Sequence, residues 1–333
     1  MLNRRAALAA AALAANALAA LCFQSPAEAQ NREIRALSGF DSNFVFTREI
    51  AKPFMENVTK ATGGALTFKF NGPETVPVFE QFQPTAAGAF ELLFTHPAYH
   101  SGTTTVGLAT DAIDYDPIKR RESGIWDFVD AHYQKSGLKL IAMTPTGSKG
   151  FQFVLKRPIT AAKSFEGMKI RGTVSYHPMI RAMGGAPVVM GGGEVYSALE
   201  RGIIDGAAWG LTGVADFKWN EVAKYLARPV FGQVSLLIVM NKRAFDALPA
   251  AQQKALLDEG RKLELATVTR FDALAAAELK LLKEKGMQET AFSPDDAARL
   301  EKLWSDGVWE VATAKNEDAR ALKKLALEKG VTR

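Results

Sequence analysis

The stretch that decides the fold is residues 166–209, EGMKIRGTVSYHPMIRAMGGAPVVMGGGEVYSALERGIIDGAAW. It begins with a short apolar segment that ends at Arg171, continues into a predicted helix, and reaches a second predicted strand at 186–190. A glycine triplet at 191–193 leads into another helix, and the stretch closes on Asp-Gly-Ala-Ala-Trp at 205–209. Strands that alternate with helices in one continuous segment predict an α/β domain.

The remainder of the chain alternates in the same way, which extends the α/β prediction to the whole protein. Apolar patterning predicts strands at 33–37, 66–70, 90–95, 138–144, 151–155 and 233–241, and helices at 46–62, 78–87 and 118–136. Residues 250–285 contain no proline and many good helix formers, so we expect one long helix there. Ser293 followed by Pro294 is typical of a further helix start. We therefore predict an α/β fold with mainly parallel sheets.

The order of residues in 166–209 resembles the solute receptors of tripartite ATP-independent periplasmic (TRAP) transporters, of the dicarboxylate-receptor (DctP-like) type. The resemblance covers about residues 33–292 of the chain. It implies a two-lobed periplasmic-binding-protein fold, in which the lobes close on a ligand about a hinge and one long helix spans both. By analogy, lobe one comprises residues 30–147 and 236–275, and lobe two comprises residues 148–235 and 276–333.

The N-terminus has the layout of a secretory signal peptide, residues 1–29. Arg4 and Arg5 precede an apolar run at 6–23, and Ala27-Glu28-Ala29 supplies small residues at the two positions that a signal peptidase reads. A membrane anchor is the alternative, although this alanine-rich run is close to the lower length limit for a span. Cleavage after Ala29 places the mature chain in the periplasm; whether export follows the Sec or the twin-arginine route stays open.

Composition excludes several other classes of function. Cys22 is the only cysteine and leaves with the signal peptide, so the mature chain can form neither a disulfide nor a thiolate metal site. The formal net charge is +5 without a dense basic tract, and we expect no binding to nucleic acid. Neither a His-Glu-x-x-His motif nor a Gly-x-Ser-x-Gly elbow is present, and His96 precedes a proline, which does not suit a helical metal pair with His100. We therefore predict no catalytic residue, metal or cofactor.

Arg171 is the first candidate for binding a ligand. It ends an apolar segment and is followed by Gly172, and in α/β sheets the carboxyl end of a strand opens onto the crevice where ligands bind. A guanidinium group matches a carboxylate with two parallel hydrogen bonds. The alternative is a structural ion pair. The resemblance implies that Arg171 binds the carboxylate of the ligand, as the corresponding arginine does in the family.

Five further residues are candidates because of the resemblance. Trp209 ends the Asp-Gly segment, where its ring can pack on the apolar body of a ligand or, alternatively, in the core. Tyr99 follows a predicted strand at a position that faces the cleft in the family, and Phe44 lies near the first strand–helix loop. Lys149 and Gln152 lie in the segment that crosses between the lobes, where many members have a second arginine or a glutamine.

Two absences refine the expected ligand. Ala208 occupies the position where members with a tryptophan often have a glutamate, so we do not expect a cation that bridges ligand and protein. The crossing segment has no second arginine, which favours a monocarboxylate over a dicarboxylate. The glycine triplet lies near the ligand in the family, and Glu194 after it favours the start of a helix electrostatically.

The sequence thus predicts a receptor, not an enzyme, that captures a small organic carboxylate in an interlobe cleft and delivers it to the membrane permease subunits of a TRAP transporter. We expect a monomer in preference to a dimer. The alternatives are a receptor for an ATP-driven (ABC) importer, a sensory receptor, and a secreted α/β enzyme.

Overall fold

A computed structural model describes residues 31–332, so the predicted signal peptide and its cleavage site lie outside the described residues. Two β-sheets covered by helices form two lobes, which confirms the predicted fold class. The strands are β1 Arg32–Ser38, β2 Leu66–Asn71, β3 Leu92–Thr95, β4 Leu138–Pro145, β5 Phe151–Leu155, β6 Lys169–Arg171, β7 Ala186–Val188, β8 Gly206–Gly210, β9 Tyr225–Arg228, β10 Ser235–Asn241 and β11 Gln288–Ala291. The α-helices are α1 Lys52–Ala61, α2 Phe82–Ala86, α3 Pro117–Glu122, α4 Ile125–Lys135, α5 His177–Ala182, α6 Val195–Glu200, α7 Trp219–Val222, α8 Lys242–Asp246, α9 Ala250–Glu284, α10 Pro294–Ala298, α11 Leu300–Thr313 and α12 Glu317–Glu328.

The two sheets divide the strands between the lobes. The first sheet has the order β2-β1-β3-β10-β4, and the second has the order β11-β9-β5-β8-β6-β7. Five neighbouring pairs are parallel. The four antiparallel pairs all involve β10 or β5, so both sheets are mixed. These are the strands that enter each sheet beside the crossings at residues 146–150 and 229–234, where the chain passes from one sheet to the other.

Several element boundaries differ from the predicted ones for local reasons. The helix predicted over 118–136 is two helices, because Gly124 has a φ of 79° and starts α4 afresh. The helix predicted over 78–87 is a 3-10 turn, Val78–Glu80, followed by the short α2. Strands β8, β9 and β11 were not predicted. The predicted cap is present, since the Ser293 hydroxyl accepts from the Asp296 N–H at the start of α10.

The long helix α9 has 35 residues and is fixed to both lobes by two carboxylates. In lobe one, Glu264 accepts from the Met143 N–H at 2.8 Å and from the Trp126 indole at 2.9 Å. In lobe two, Glu278 accepts from the Gly213 N–H at 2.7 Å and from the Ala215 N–H at 3.0 Å. One helix therefore links the two sheets, as predicted. Within residues 31–332, no helix is both long enough and apolar enough to cross a membrane.

Candidate functional site

A small cavity lies between the two sheets. Strands β1, β3, β6 and β8 all end near it, which is the usual position of a ligand site in an open α/β sheet. Its walls come from both lobes and are largely aromatic. The lining residues are Phe40, Phe46, His96, Tyr99, Phe151, Arg171, Thr173, Tyr176, Trp209, Gly210, Val234 and Leu236.

Arg171 is the positively charged side chain of this lining, and it is only 1% exposed. Its Nε and Nη2 donate to the Met190 carbonyl at 3.1 and 2.9 Å, and its Nη1 donates to the Ala208 carbonyl at 2.9 Å. Among the partners that residues 31–332 provide for this side chain, there is no carboxylate. Burial lowers the pKa of Arg171, while the nearby Tyr99 and Tyr176 oppose that shift. The guanidinium is therefore a buried cation held in place by carbonyls.

Trp209 forms the wall next to this cation. The Arg171 Cζ lies 5.0 Å from the centroid of the indole ring, within the range of a cation–π interaction. The ring also packs edge-on against Phe44 and Phe217, with centroids 6.0 and 5.2 Å apart. Within the described part of the chain its Nε1 is buried without a hydrogen-bond partner. Trp209 is thus both a core residue and a cavity wall with an unused donor.

The glycine triplet supports this tryptophan. A Cβ added to Gly192 would lie 2.7 Å from Cη2 of Trp209, whereas a Cβ added to Gly193 would meet no atom within 4 Å. Glu194 accepts from the Gly191 N–H at 3.4 Å, which agrees with a role at the start of the helix. In this structure the triplet makes room for an indole ring.

Two tyrosines complete the polar side of the cavity. Tyr99 and Tyr176 are 5% and 3% exposed. Burial raises the pKa of both hydroxyls, and the neighbouring Arg171 lowers it less than burial raises it. Both phenols are therefore neutral at physiological pH and can act as hydrogen-bond donors.

The structure brings together three of the six predicted ligand-binding residues, since Arg171, Trp209 and Tyr99 line the same cavity. Phe44 is buried behind that lining and stacks on Phe217 with centroids 4.5 Å apart, so it supports Trp209 from the side of lobe one.

The two residues predicted from the crossing segment lie elsewhere, and the structure corrects both positions. The side chain of Lys149 is 53% exposed and pairs with Glu301 at 2.8 Å, outside the cavity. Gln152 donates to the Gly210 carbonyl at 3.2 Å and accepts from Arg228 at 3.1 Å. Because neighbouring residues of a strand point to opposite faces, Phe151 lines the cavity and Gln152 turns away from it.

Several lining residues were missed by the sequence reasoning. The unpredicted members with polar or aromatic side chains are Phe40, His96, Phe151, Thr173 and Tyr176. Thr173 lies two residues after Arg171, just beyond the end of β6, and this position could have indicated that it lines the cavity. The phenylalanines gave no such indication, since the chain has 20 of them.

Across residues 31–332, no three His, Cys, Asp or Glu side chains are grouped closely enough to hold a metal ion.

Comparison with known proteins gives one consistent result. The family model described as bacterial extracellular solute-binding protein, family 7 (DctP) matches residues 48–312. A solute-binding protein from Albidiferax ferrireducens is 26% identical over 297 residues, which cover 84% of this chain and 86% of that protein. The solved structure of DctP7, an extracytoplasmic solute receptor from Bordetella pertussis that binds pyroglutamic acid, superimposes with a TM-score of 0.78 at 20% identity, covering 89% of this chain and 99% of that one. A TRAP periplasmic solute-binding protein from Desulfovibrio salexigens with bound orotic acid also gives 0.78, at 21% identity, covering 89% and 98%.

Proposed function

Since the chain belongs to family 7 of the bacterial extracellular solute-binding proteins, the DctP-like receptors of TRAP transporters, we propose that it captures a small organic acid in the cavity between its lobes. In this proposal Arg171 anchors the carboxylate, and the aromatic walls enclose the rest of the ligand. The loaded receptor then delivers the acid to the permease subunits of a TRAP transporter from the periplasmic side of the membrane.

The observation that carries the proposal is the state of the Arg171 guanidinium. An ionised group removed from water is costly unless it is paired. The group has five N–H donors, and three hydrogen bonds reach carbonyl oxygens. Carbonyl dipoles orient the fork but carry no full negative charge. Tyr99 also hydrogen-bonds the guanidinium and Glu194 acts on its charge, but within residues 31–332 no carboxylate pairs with it directly. The remaining N–H donors and the unpaired charge suit a carboxylate ligand, which supplies both acceptors and an anion.

The rest of the lining suits the body of such a ligand. Small-molecule sites are mostly apolar with a few polar groups that fix orientation. Here six aromatic side chains line the cavity, and Tyr99 and Tyr176 place hydroxyl donors beside Arg171. Pyroglutamic acid and orotic acid, the ligands named for two structural neighbours, each combine one carboxyl group with a small ring. They support a ligand of similar size and charge for this chain.

Closure of the lobes is expected to follow ligand binding through a shift in population. On the rim of the cavity, the Asp216 carboxylate after β8 accepts from the Val45 N–H at 2.8 Å and from Arg48 at 3.2 Å, both after β1. These contacts join the two lobes in this structure, and opening of the cleft about a hinge would break them. A ligand that touches Arg171 in lobe two and Tyr99 in lobe one favours the same arrangement.

The anchor is tested by calorimetry with purified protein and a panel of organic acids that includes pyroglutamate and orotate. We expect the Arg171→Ala variant to lose at least 100-fold in affinity for the acid that binds best to the wild type. The Lys149→Ala variant is the matched control, because it removes a positive charge that is paired with Glu301 outside the cavity. We expect its affinity to stay within twofold of the wild type.

Because Arg171 is buried, the melting temperature of each variant is measured alongside. Arg171→Lys keeps the charge but loses the planar fork, and it should fall between the other two variants in affinity. Wild-type affinity in a folded Arg171→Ala protein would contradict the anchor role. Delivery is tested separately, by uptake of the labelled acid into vesicles that contain the permease, with and without the receptor.

A further inference from the structure

A buried carboxylate lies directly behind one wall of the cavity. The side chain of Asp111 is 0% exposed, and its Oδ2 lies 3.1 Å from Nε2 of His96, a residue that lines the cavity. Neither atom has a well-aligned hydrogen bond within residues 31–332. The negative charge of Asp111 is therefore separated from the cavity by a single imidazole ring.

That imidazole ring does not cancel the charge. Nδ1 of His96 accepts from the Ala98 N–H at 3.2 Å, which leaves Nε2 as the nitrogen that carries a proton. A second proton on Nδ1 would destroy the hydrogen bond with Ala98. His96 is thus held as a neutral ring between Asp111 and the cavity.

A buried cation, Arg120, lies on the side of Asp111 that faces away from the cavity. Oδ1 of Asp111 accepts from the Ser235 N–H at 3.1 Å, and the buried Arg120 donates to the Ser235 hydroxyl at 2.7 Å. The charge of Arg120 acts first on Asp111 and then on Glu264, Asp114 and Asp116, so Asp111 shares this cation with three other acids. The field of Asp111 still reaches the cavity wall, where it contributes to raising the pKa of Tyr176.

The cavity consequently offers one positive and one negative pole. Arg171 supplies the cation among the lining residues, and the other lining side chains are neutral or apolar. A ligand with one carboxylate can satisfy Arg171 and present an uncharged body to the rings and to His96. A second carboxylate on the ligand would lose its water, find no second cation, and approach the charge of Asp111.

We propose that Asp111 is a specificity-determining residue that restricts the ligand to monocarboxylates by repelling a second negative charge from behind His96. This inference rests on the proposed function, and it adds a residue that acts on the ligand without touching it. It predicts a preference for acids whose far end is uncharged.

The test compares matched acids by calorimetry, using butyrate against succinate and benzoate against isophthalate. We expect wild-type protein to bind each monocarboxylate at least 100-fold more tightly than its dicarboxylate partner. In the Asp111→Asn variant, whose amide oxygen can still accept from Ser235, the dicarboxylates should gain at least tenfold while the monocarboxylates stay within threefold. The Asp114→Asn variant is the control: it makes the same change of charge at a partly exposed residue that pairs with Lys119, and it should leave both ratios unchanged.

The outcomes separate the two proposals. Equal or tighter binding of succinate and isophthalate to the wild type would overturn the role of Asp111, and that measurement needs no variant to fold. An unchanged ratio in a folded Asp111→Asn protein would overturn it as well. If none of these acids binds, and pyroglutamate and orotate do not bind either, the result contradicts the proposed function itself.

Discussion

Replacing Gly192 with alanine should disturb the cavity through Trp209, without changing any residue that itself lines the cavity. The new methyl group would lie 2.7 Å from Cη2 and 3.0 Å from Cζ3 of the indole, and 3.1 Å from Cζ of Phe217. Contacts this short cannot persist, so the ring must move. Its free direction is toward the cavity, because Phe217 and Trp219 pack against it at 5.2 and 5.4 Å between centroids.

The size of the effect follows from the cost of overpacking. Adding a methyl group to a close-packed site costs about 1–3 kcal/mol. Part of this cost falls on the ligand, because a displaced Trp209 narrows the cavity and shifts the ring from its position 5.0 Å from the Arg171 guanidinium. If the ligand-bound state carries most of the cost, affinity falls by roughly 5- to 150-fold.

Gly193 provides a control one residue away, since a Cβ there meets nothing within 4 Å. Calorimetry with the best-binding acid should show a loss of at least fivefold for Gly192→Ala and less than twofold for Gly193→Ala. Quenching of tryptophan fluorescence by the ligand should change only in the first variant. Equal affinities for the two variants would refute the reasoning that the triplet exists to accommodate the indole.

Two further predictions concern the lobe interface and its dependence on pH. Asp216→Ala removes the acceptor for the Val45 N–H and the partly exposed ion pair with Arg48, so the closed form should lose about 1–2 kcal/mol of stability. Affinity for the ligand should then fall about tenfold through faster ligand release, which stopped-flow fluorescence measures. An unchanged release rate would show that the lobes close without this contact. Burial raises the pKa of Glu278 above the ordinary glutamate value of 4.5, so the folded protein keeps this proton to a higher pH than the unfolded chain does. The contribution of Glu278 to the free energy of unfolding is therefore fully present below pH 4.5 and is lost as the pH rises through the raised pKa. We therefore expect Glu278→Gln to flatten the decline of melting temperature over that range, and a parallel decline in both proteins would assign it to other groups, such as Glu264.

The positions of Arg171 and Trp209 at the cavity could be predicted from the sequence because residues 166–209 resemble the receptor family and each of the two residues ends a short local pattern. Arg171 ends a short strand and precedes a glycine, and Trp209 closes an Asp-Gly segment. The end of a strand is set by nearby residues, so the sequence indicates which side chains lie at the carboxyl ends of strands, where ligands bind. The α/β class followed from the alternation of strands and helices, and the long helix α9 followed from a proline-free run of good helix formers.

The sequence did not predict features that depend on which face of a strand a residue occupies, or on partners that are distant along the chain. Phe151 and Gln152 are adjacent in β5, so their side chains lie on opposite faces of the sheet. Because the residues on both sides of Gln152 are apolar, the sequence of β5 does not indicate which of the two faces lines the cavity. Lys149 pairs with Glu301, which is remote in sequence, and a flexible side chain gives no indication of its direction. Strands β9 and β11 pair with each other across 63 residues at Tyr225 and Gln288, so neither carries a strong signal alone.

Trp209 connects the charge of the cavity to the closure of the lobes. One face of its indole lies 5.0 Å from the Arg171 guanidinium, and its edge contacts Phe44, which comes from the other lobe and stacks on Phe217. A carboxylate on Arg171 offsets the buried positive charge and thereby stabilises the arrangement in which water is excluded around it. That arrangement packs Phe44 against both Trp209 and Phe217, which requires the lobes to be together. We therefore expect the aromatic cluster to couple neutralisation of Arg171 by a ligand to closure of the cleft.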